Sequence, residues 1–245
     1  MAQQITLQRY MTSLLTGDRK GCRMVIEESL HCGIPANRVY MDIIWPVMVE
    51  IDNLWRGDKI NSAQESMATR INRTLVDQLQ NKLPRRTTRN KRIVVCSGPQ
   101  ESGELGAQMA ADLFESDGWE VRFLGGGVSN DDILTFVHDY QPDMLLIYGA
   151  TPKCAPEIRR LIDTVRSVNA WPNMKIMLSG GVFNRAEGLW EEIGADLFAA
   201  TAAEAIAIAS QDTTEQVEAC ERKTINKRKK KRITVSSKEP VGAVN

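Results

Sequence analysis

Residues 92–127 read RIVVCSGPQESGELGAQMAADLFESDGWEVRFLGGG, and their pattern decides the fold. A short β-rich run, Ile93 to Cys96, ends in Ser97-Gly98-Pro99; a longer stretch follows, and then a second β-rich run, Trp119 to Leu124, ends in Gly125-Gly126-Gly127. A buried strand, a crossover and another strand make one βα unit. The pattern continues with Met144 to Tyr148, Lys175 to Leu178 and Leu197 to Ala199, five units in all. Right-handed crossovers between such strands give a five-strand parallel, doubly wound α/β domain of the flavodoxin-like type, with its ligand loops at the carboxyl ends of the strands.

Upstream the periodicity is helical. Ile5, Leu7, Met11, Leu14 and Leu15 form a first stripe, and Gly17-Asp18 separates it from Cys22, Val25, Ile26 and Leu30. Gly33 and Pro35 end the second helix; a third stripe runs through Val39, Ile43, Val47, Ile51 and Leu54 to Gly57. Ser62-Ala63-Gln64-Glu65 has the spacing of a capping box and opens a fourth helix through Met67, Ile71, Leu75 and Leu79. The predicted organisation is a four-helix bundle over 1–83, a polar linker over 84–92, the α/β domain over 93–212 and a basic tail over 213–245.

Composition narrows function by exclusion. The 245 residues carry 31 Lys+Arg and 31 Asp+Glu, so no global field steers the chain to nucleic acid or an anionic membrane. The opening MAQQITLQRY has neither the basic region nor the apolar run of a signal peptide, and no apolar run reaches membrane-span length, which predicts a cytoplasmic location. Five scattered cysteines without a C-x-x-C pair read as reduced thiols. The tail segment from Arg222 to Arg232, RKTINKRKKKR, predicts either a solubilising terminus or a salt-sensitive contact with nucleic acid or an acidic surface.

Small residues follow four strands: Ser97-Gly98-Pro99, Gly125-Gly126-Gly127, Gly149-Ala150 and Ser179-Gly180-Gly181. Strand termination explains any one of them, but four on one edge predict a shallow platform that a large ligand approaches closely. Neither the phosphate-loop motif nor G-x-G-x-x-G after the first strand is present, which disfavours ordinary nucleotide binding.

A bundle followed by such a domain resembles the cobalamin-binding module of methionine synthases, corrinoid methyl carriers and light-sensing transcriptional regulators. Tyr10 with Leu14-Leu15-Thr16-Gly17-Asp18-Arg19, Pro46, Trp55, Gly118-Trp119-Glu120-Val121, Phe123-Leu124-Gly125, Ser179-Gly180-Gly181 and Gly194-Ala195-Asp196 carry the likeness. It implies cobalamin as the cofactor and Asp-x-His-x-x-Gly as the lower-ligand motif. This chain has Glu101-Ser102-Gly103-Glu104-Leu105-Gly106 instead, so no histidine stands beneath cobalt and a longer acid replaces the aspartate that orients it. Where family members place a serine beside the buried nucleotide tail, Tyr148 stands, and of the tail-site features Gly180 and Gly181 remain. Above the cobalt, light-sensing members carry Trp, nine residues, then Glu-His; here Trp55 and Glu65 keep the spacing, with Ser66 in the histidine position.

Neither remaining histidine substitutes. His138 falls near the end of a crossover helix, toward the amino edge of the sheet, and His31 falls in the last turn of a bundle helix, where a cation is favoured by the dipole. Cys154, beside Lys153 on the ligand edge, is the remaining thiol candidate.

Two readings follow. One is a non-catalytic regulatory, sensory or scaffolding protein with an altered or lost cobalamin site, acting through a protein partner. The other is a cobalamin-binding sensor, or a methyl carrier, without a lower-ligand histidine; a flat tetrapyrrole other than cobalamin is a further alternative. Homo-oligomerisation is left open by the sequence.

Overall fold

The computed structural model describes residues 2–98 and 104–211. Glu101, Ser102 and Gly103 of the altered motif and the basic stretch 222–232 lie outside them. The contacts divide the chain into a unit spanning Met1–Ile206 and a second spanning Ala207–Asn245.

Helices α1 (Ala2–Thr16) and α2 (Arg19–His31) meet at Gly17 and Asp18, and the Asp18 carboxylate caps α2 by accepting from the Gly21 N–H. The third apolar stripe is continuous but not uniform. It comprises α3 (Ala36–Val39), a π-helical turn (Tyr40–Ile44) and α4 (Trp45–Arg56), with no residue between them. The wider turn lies just ahead of Pro46, which has no N–H to donate and crowds the carbonyl four residues back. Val39, Ile43, Val47 and Ile51 are all buried, as the stripe predicts. In α1 the core is made by Tyr10 and Leu14, while Ile5 is exposed.

Helix α5 (Ser62–Gln80) corrects one expectation. Its N-cap is Asn61, whose side chain accepts from the Gln64 N–H at 2.9 Å while Gln64 Oε1 accepts from the Asn61 N–H at 3.1 Å. The capping box is therefore Asn61-x-x-Gln64, one residue earlier than the Ser62-Glu65 spacing. Glu65 sits past the capping position, where its carboxylate accepts from Thr69 Oγ1 at 3.0 Å.

The sheet is parallel throughout, in the order β2-β1-β3-β4-β5. Its strands are β1 (Arg92–Ser97), β2 (Glu120–Gly125), β3 (Met144–Tyr148), β4 (Lys175–Ser179) and β5 (Leu197–Ala199). One face buries Val94, Cys96, Leu145, Ile147, Ile176 and Leu178 against α7 (Asn130–Tyr140) and α8 (Ala155–Val168). The other face meets α6 (Leu105–Ser116). Two short helices, α9 (Gly181–Arg185) and α10 (Leu189–Ile193), fill the connection from β4 to β5. Strand order reverses direction between β1 and β3, the switch point at which such sheets bind ligands.

Bundle and sheet fall in one compact unit, and the segment expected as a linker, 84–92, runs between them. This segment is pinned along the end of α6. Arg86 N donates to Ser116 O, Arg89 N donates to Gly118 O, and both guanidiniums pair with buried Asp117, at 2.6 and 2.9 Å. Backbone hydrogen bonds and arginine–aspartate pairs make this attachment, which apolar periodicity does not report.

Candidate functional site at the carboxyl edge of the sheet

The register places Ser97, Tyr148 and Ser179 in one row at the carboxyl ends of β1, β3 and β4. Paired residues of adjacent parallel strands share a face, and alternation puts this row on the α6 side, opposite Cys96, Ile147 and Leu178. Tyr148 is 6% exposed, and its ring lies on the backbone of Gly106 in the first turn of α6. A Cβ on Gly106 would lie 2.3 Å from the Tyr148 hydroxyl oxygen, a clash. Beside it, Ser97 Oγ is buried with no hydrogen-bond partner. Gly106 is thus small because a tyrosine of the same chain occupies the space above it.

The other glycines of this edge tell the same story. A Cβ at Gly98 would lie 2.6 Å from Cys154 Cβ, and one at Gly149 would lie 2.9 Å from the Phe183 ring. Gly180 has φ 108° and ψ 168°, a conformation essentially reserved for glycine, and its α-carbon faces the Gly149 carbonyl. Gly181 abuts the Arg185 guanidinium, and Gly125 abuts the Glu104 carboxylate. The predicted platform exists as backbone, but protein side chains fill it. Cys154 belongs to this filling: it is 2% exposed, with its Sγ 2.8 Å from the Thr151 carbonyl, so it is packing and not a presented thiol.

Over this edge the bundle is attached by charge. Arg185 Nη1 reaches Asp52 of α4 at 3.2 Å while its Nη2 donates to the Ala150 carbonyl at 2.8 Å. Arg56, one turn beyond Asp52, binds the same carboxylate at 2.8 Å and the same carbonyl at 3.3 Å. Burial, then the Arg56 charge, lowers the Arg185 pKa against the pull of Asp52. On the other side Arg73 of α5 pairs with Glu104 at 2.9 Å, and Glu104 also accepts from the Gly126 N–H at 2.6 Å. Burial pushes the Glu104 carboxyl up, but these two hydrogen bonds outweigh it and leave its pKa below the ordinary value.

Trp55 and Glu65 lie on α4 and α5, with Ser66 beside Glu65. Trp55 is 38% exposed, with its indole N–H 3.4 Å from Ser62 Oγ and the Arg56 guanidinium 5.9 Å from its ring, so it is not a core residue. His31 Nδ1 lies 2.7 Å from the Glu27 carbonyl, and the His138 ring lies against Trp171 in the last turn of α7. Among the described residues no cluster of His, Cys, Asp or Glu is arranged to hold a metal.

The site as described does not fit an inserted nucleotide tail, because the space between α6 and the end of β3 holds the Tyr148 ring. Sequence reading singled out Tyr148, Gly106, Gly180 and Gly181 but missed the attaching set Asp52, Arg56, Arg73, Glu104 and Arg185. One signal was available: Arg185 follows Gly181 by one helical turn.

Two matches to B12 binding domains cover residues 6–80 and 91–209. Dimethylamine corrinoid protein 1 of Methanosarcina acetivorans is 25% identical over 167 residues, covering 67% of this chain and 77% of that protein. Monomethylamine corrinoid protein 2 of the same organism is 21% identical over 208 residues, covering 82% and 94%. The solved structure of the Methanosarcina barkeri monomethylamine corrinoid protein superimposes with a TM-score of 0.74 at 18% identity, covering 84% of this chain and 97% of that one, and so shares the fold. Bundle, sheet order and both domain matches agree: the chain belongs to the cobalamin-binding module family.

Proposed function

We propose that this chain is a non-catalytic regulatory or scaffolding protein on the cobalamin-binding framework, with the nucleotide-tail channel filled by its own side chains and a protein as its partner. The observation that carries this reading is the Tyr148 ring, buried on Gly106 where a tail would enter. Gly103 supplies no imidazole in the lower-ligand position. A cytoplasmic location goes with this reading, and no described helix is long and apolar enough to cross a membrane. The basic stretch 222–232 adds a salt-sensitive contact for an acidic surface or nucleic acid. The test is to incubate the purified full chain with hydroxocobalamin, pass it through a desalting column and record the visible spectrum. The protein fraction is expected to be colourless; one retained corrinoid per chain would overturn the reading.

A second reading is a corrinoid binder, a sensor or methyl carrier, that keeps the cofactor's own base or a water beneath the metal. Kinship with the methylamine corrinoid proteins supports it, as do exposed Trp55 and a Glu65 that capping does not explain. When bound, the group would supply cobalt chemistry, and Trp55 and Glu65 are the bundle residues that would help hold it. If the spectrum shows bound corrinoid, Trp55→Ala and Glu65→Gln are each expected to weaken its retention.

A further inference from the structure

Bundle and sheet also meet through a buried group of oxygens remote from the glycine edge. Tyr40, in the π-helical turn, is fully buried, and its Oη lies 2.8 Å from the Val76 carbonyl of α5 and 3.0 Å from Asp112 Oδ2 of α6. Gln80 Nε2 donates to the other carboxyl oxygen at 3.1 Å. A phenol has one proton and can satisfy one acceptor. With Asp112 ionised, one of the two short oxygen contacts would hold no proton and would be repulsive. Both become hydrogen bonds when Asp112 Oδ2 carries a proton and donates to Tyr40 Oη, while Tyr40 donates to Val76 O.

We infer that Asp112 is protonated in this conformation and that its ionisation loosens the junction between the bundle and the α/β half, a proton-sensitive joint. The surroundings agree. Asp112 is 5% exposed, and the charges that face it, Asp77 of α5 and Glu115 of α6, are anionic. Gln108 donates to Asp77 at 2.6 Å, and Arg85 approaches Glu115 at 3.9 Å. Burial foremost, with Glu115 and Asp77, pushes the Asp112 carboxyl up to about 6 against the hydrogen bonds from Tyr40 and Gln80.

The sign follows from proton linkage. The folded pKa lies above the ordinary 3.8, so the folded state holds this proton more tightly than the unfolded chain does. The stabilisation is complete below about pH 4, is lost as pH rises through about 6 and changes no further above it. The joint is placed to matter for the site without depending on whether a corrinoid binds. Tyr40 leads directly into α4, which carries Asp52, Trp55 and Arg56, and Asp112 shares α6 with Gly106.

Asp112→Asn tests it, because asparagine keeps an acceptor for Gln80 and a donor for Tyr40 at every pH. Thermal unfolding of the full chain between pH 4.5 and 8 is expected to show the variant more stable than wild type by about 5 °C above pH 7, the gap closing toward pH 4.5. A gap that does not change with pH, or a variant less stable at pH 8, would overturn the proposal. Independently of the variant, the 13C resonance of the wild-type Asp112 carboxyl, assigned through its own backbone amide, is expected to titrate near pH 6. A midpoint below pH 4 would overturn it equally.

Discussion

The two sides of the candidate site are closed by different physics. Below, at the row of Ser97, Tyr148 and Ser179, closure is by buried packing: an aromatic ring on glycine backbone and loops too close for any Cβ. Above, the bundle is held by partly exposed ion pairs, Arg185 and Arg56 on Asp52 and Arg73 on Glu104. Buried aromatic packing is worth several kcal/mol, whereas exposed ion pairs contribute roughly 0–1 kcal/mol each. The lower closure is therefore a fixed part of the fold, and the upper one opens at small cost. A partner or planar ligand that parts only these ion pairs meets little resistance, while one that needs the space under Tyr148 must displace core.

The largest expected effect is at Gly180. Gly180→Ala forces a Cβ onto the Gly149 carbonyl at a φ of 108°, and a loss of about 4 kcal/mol in urea unfolding is expected. A loss under 1 kcal/mol would mean the lower edge is not packed as described. Tyr148→Ser comes next, at about 3 kcal/mol for the aromatic volume removed. In compensation, Tyr148→Ser with Gly103→His is expected to bind hydroxocobalamin more tightly than the two single changes combined, since an open channel and a lower ligand are both needed. Failure of that double variant to bind, with circular dichroism confirming its fold, would show that other residues close the channel.

Gly106→Ala sharpens the comparison at one contact. Alone it is expected to cost about 2 kcal/mol through collision with Tyr148, and in the Tyr148→Ser background close to nothing. Equal costs in both backgrounds would separate Gly106 from Tyr148. The smallest effect belongs to the upper side. Asp52→Ala removes both arginine contacts yet should cost no more than about 1 kcal/mol, with the difference from wild type shrinking in high salt. A cost equal to that of Tyr148→Ser would abolish the distinction.

Much of this was legible in advance where burial follows period. Val39, Ile43, Val47 and Ile51 recur at helical spacing and are buried; Ile93 to Cys96 and Met144 to Tyr148 are continuous apolar runs and form interior strands. The π-helical turn was not legible, because it keeps the same apolar stripe as the α-helix it interrupts. The capping box was misplaced by one residue, since Ser62-x-x-Glu65 and Asn61-x-x-Gln64 overlap and only the backbone geometry at Asn61 distinguishes them.

By itself the sequence determined the helical bundle, the parallel sheet, the missing histidine at Gly103 and the tyrosine at position 148, because residue type and period are local properties. Tertiary structure decided what the glycines serve. A glycine-rich edge is compatible with a ligand or with the chain's own side chains, and the approach of Tyr148 to Gly106, Cys154 to Gly98 and Arg185 to Gly181 is visible only in the folded chain. It also decided that Asp112, one of 31 acidic residues, faces a buried phenol and lies far above its ordinary pKa. Desolvation and a shared proton depend on neighbours 36 and 72 residues apart in the chain, and no local pattern encodes those distances.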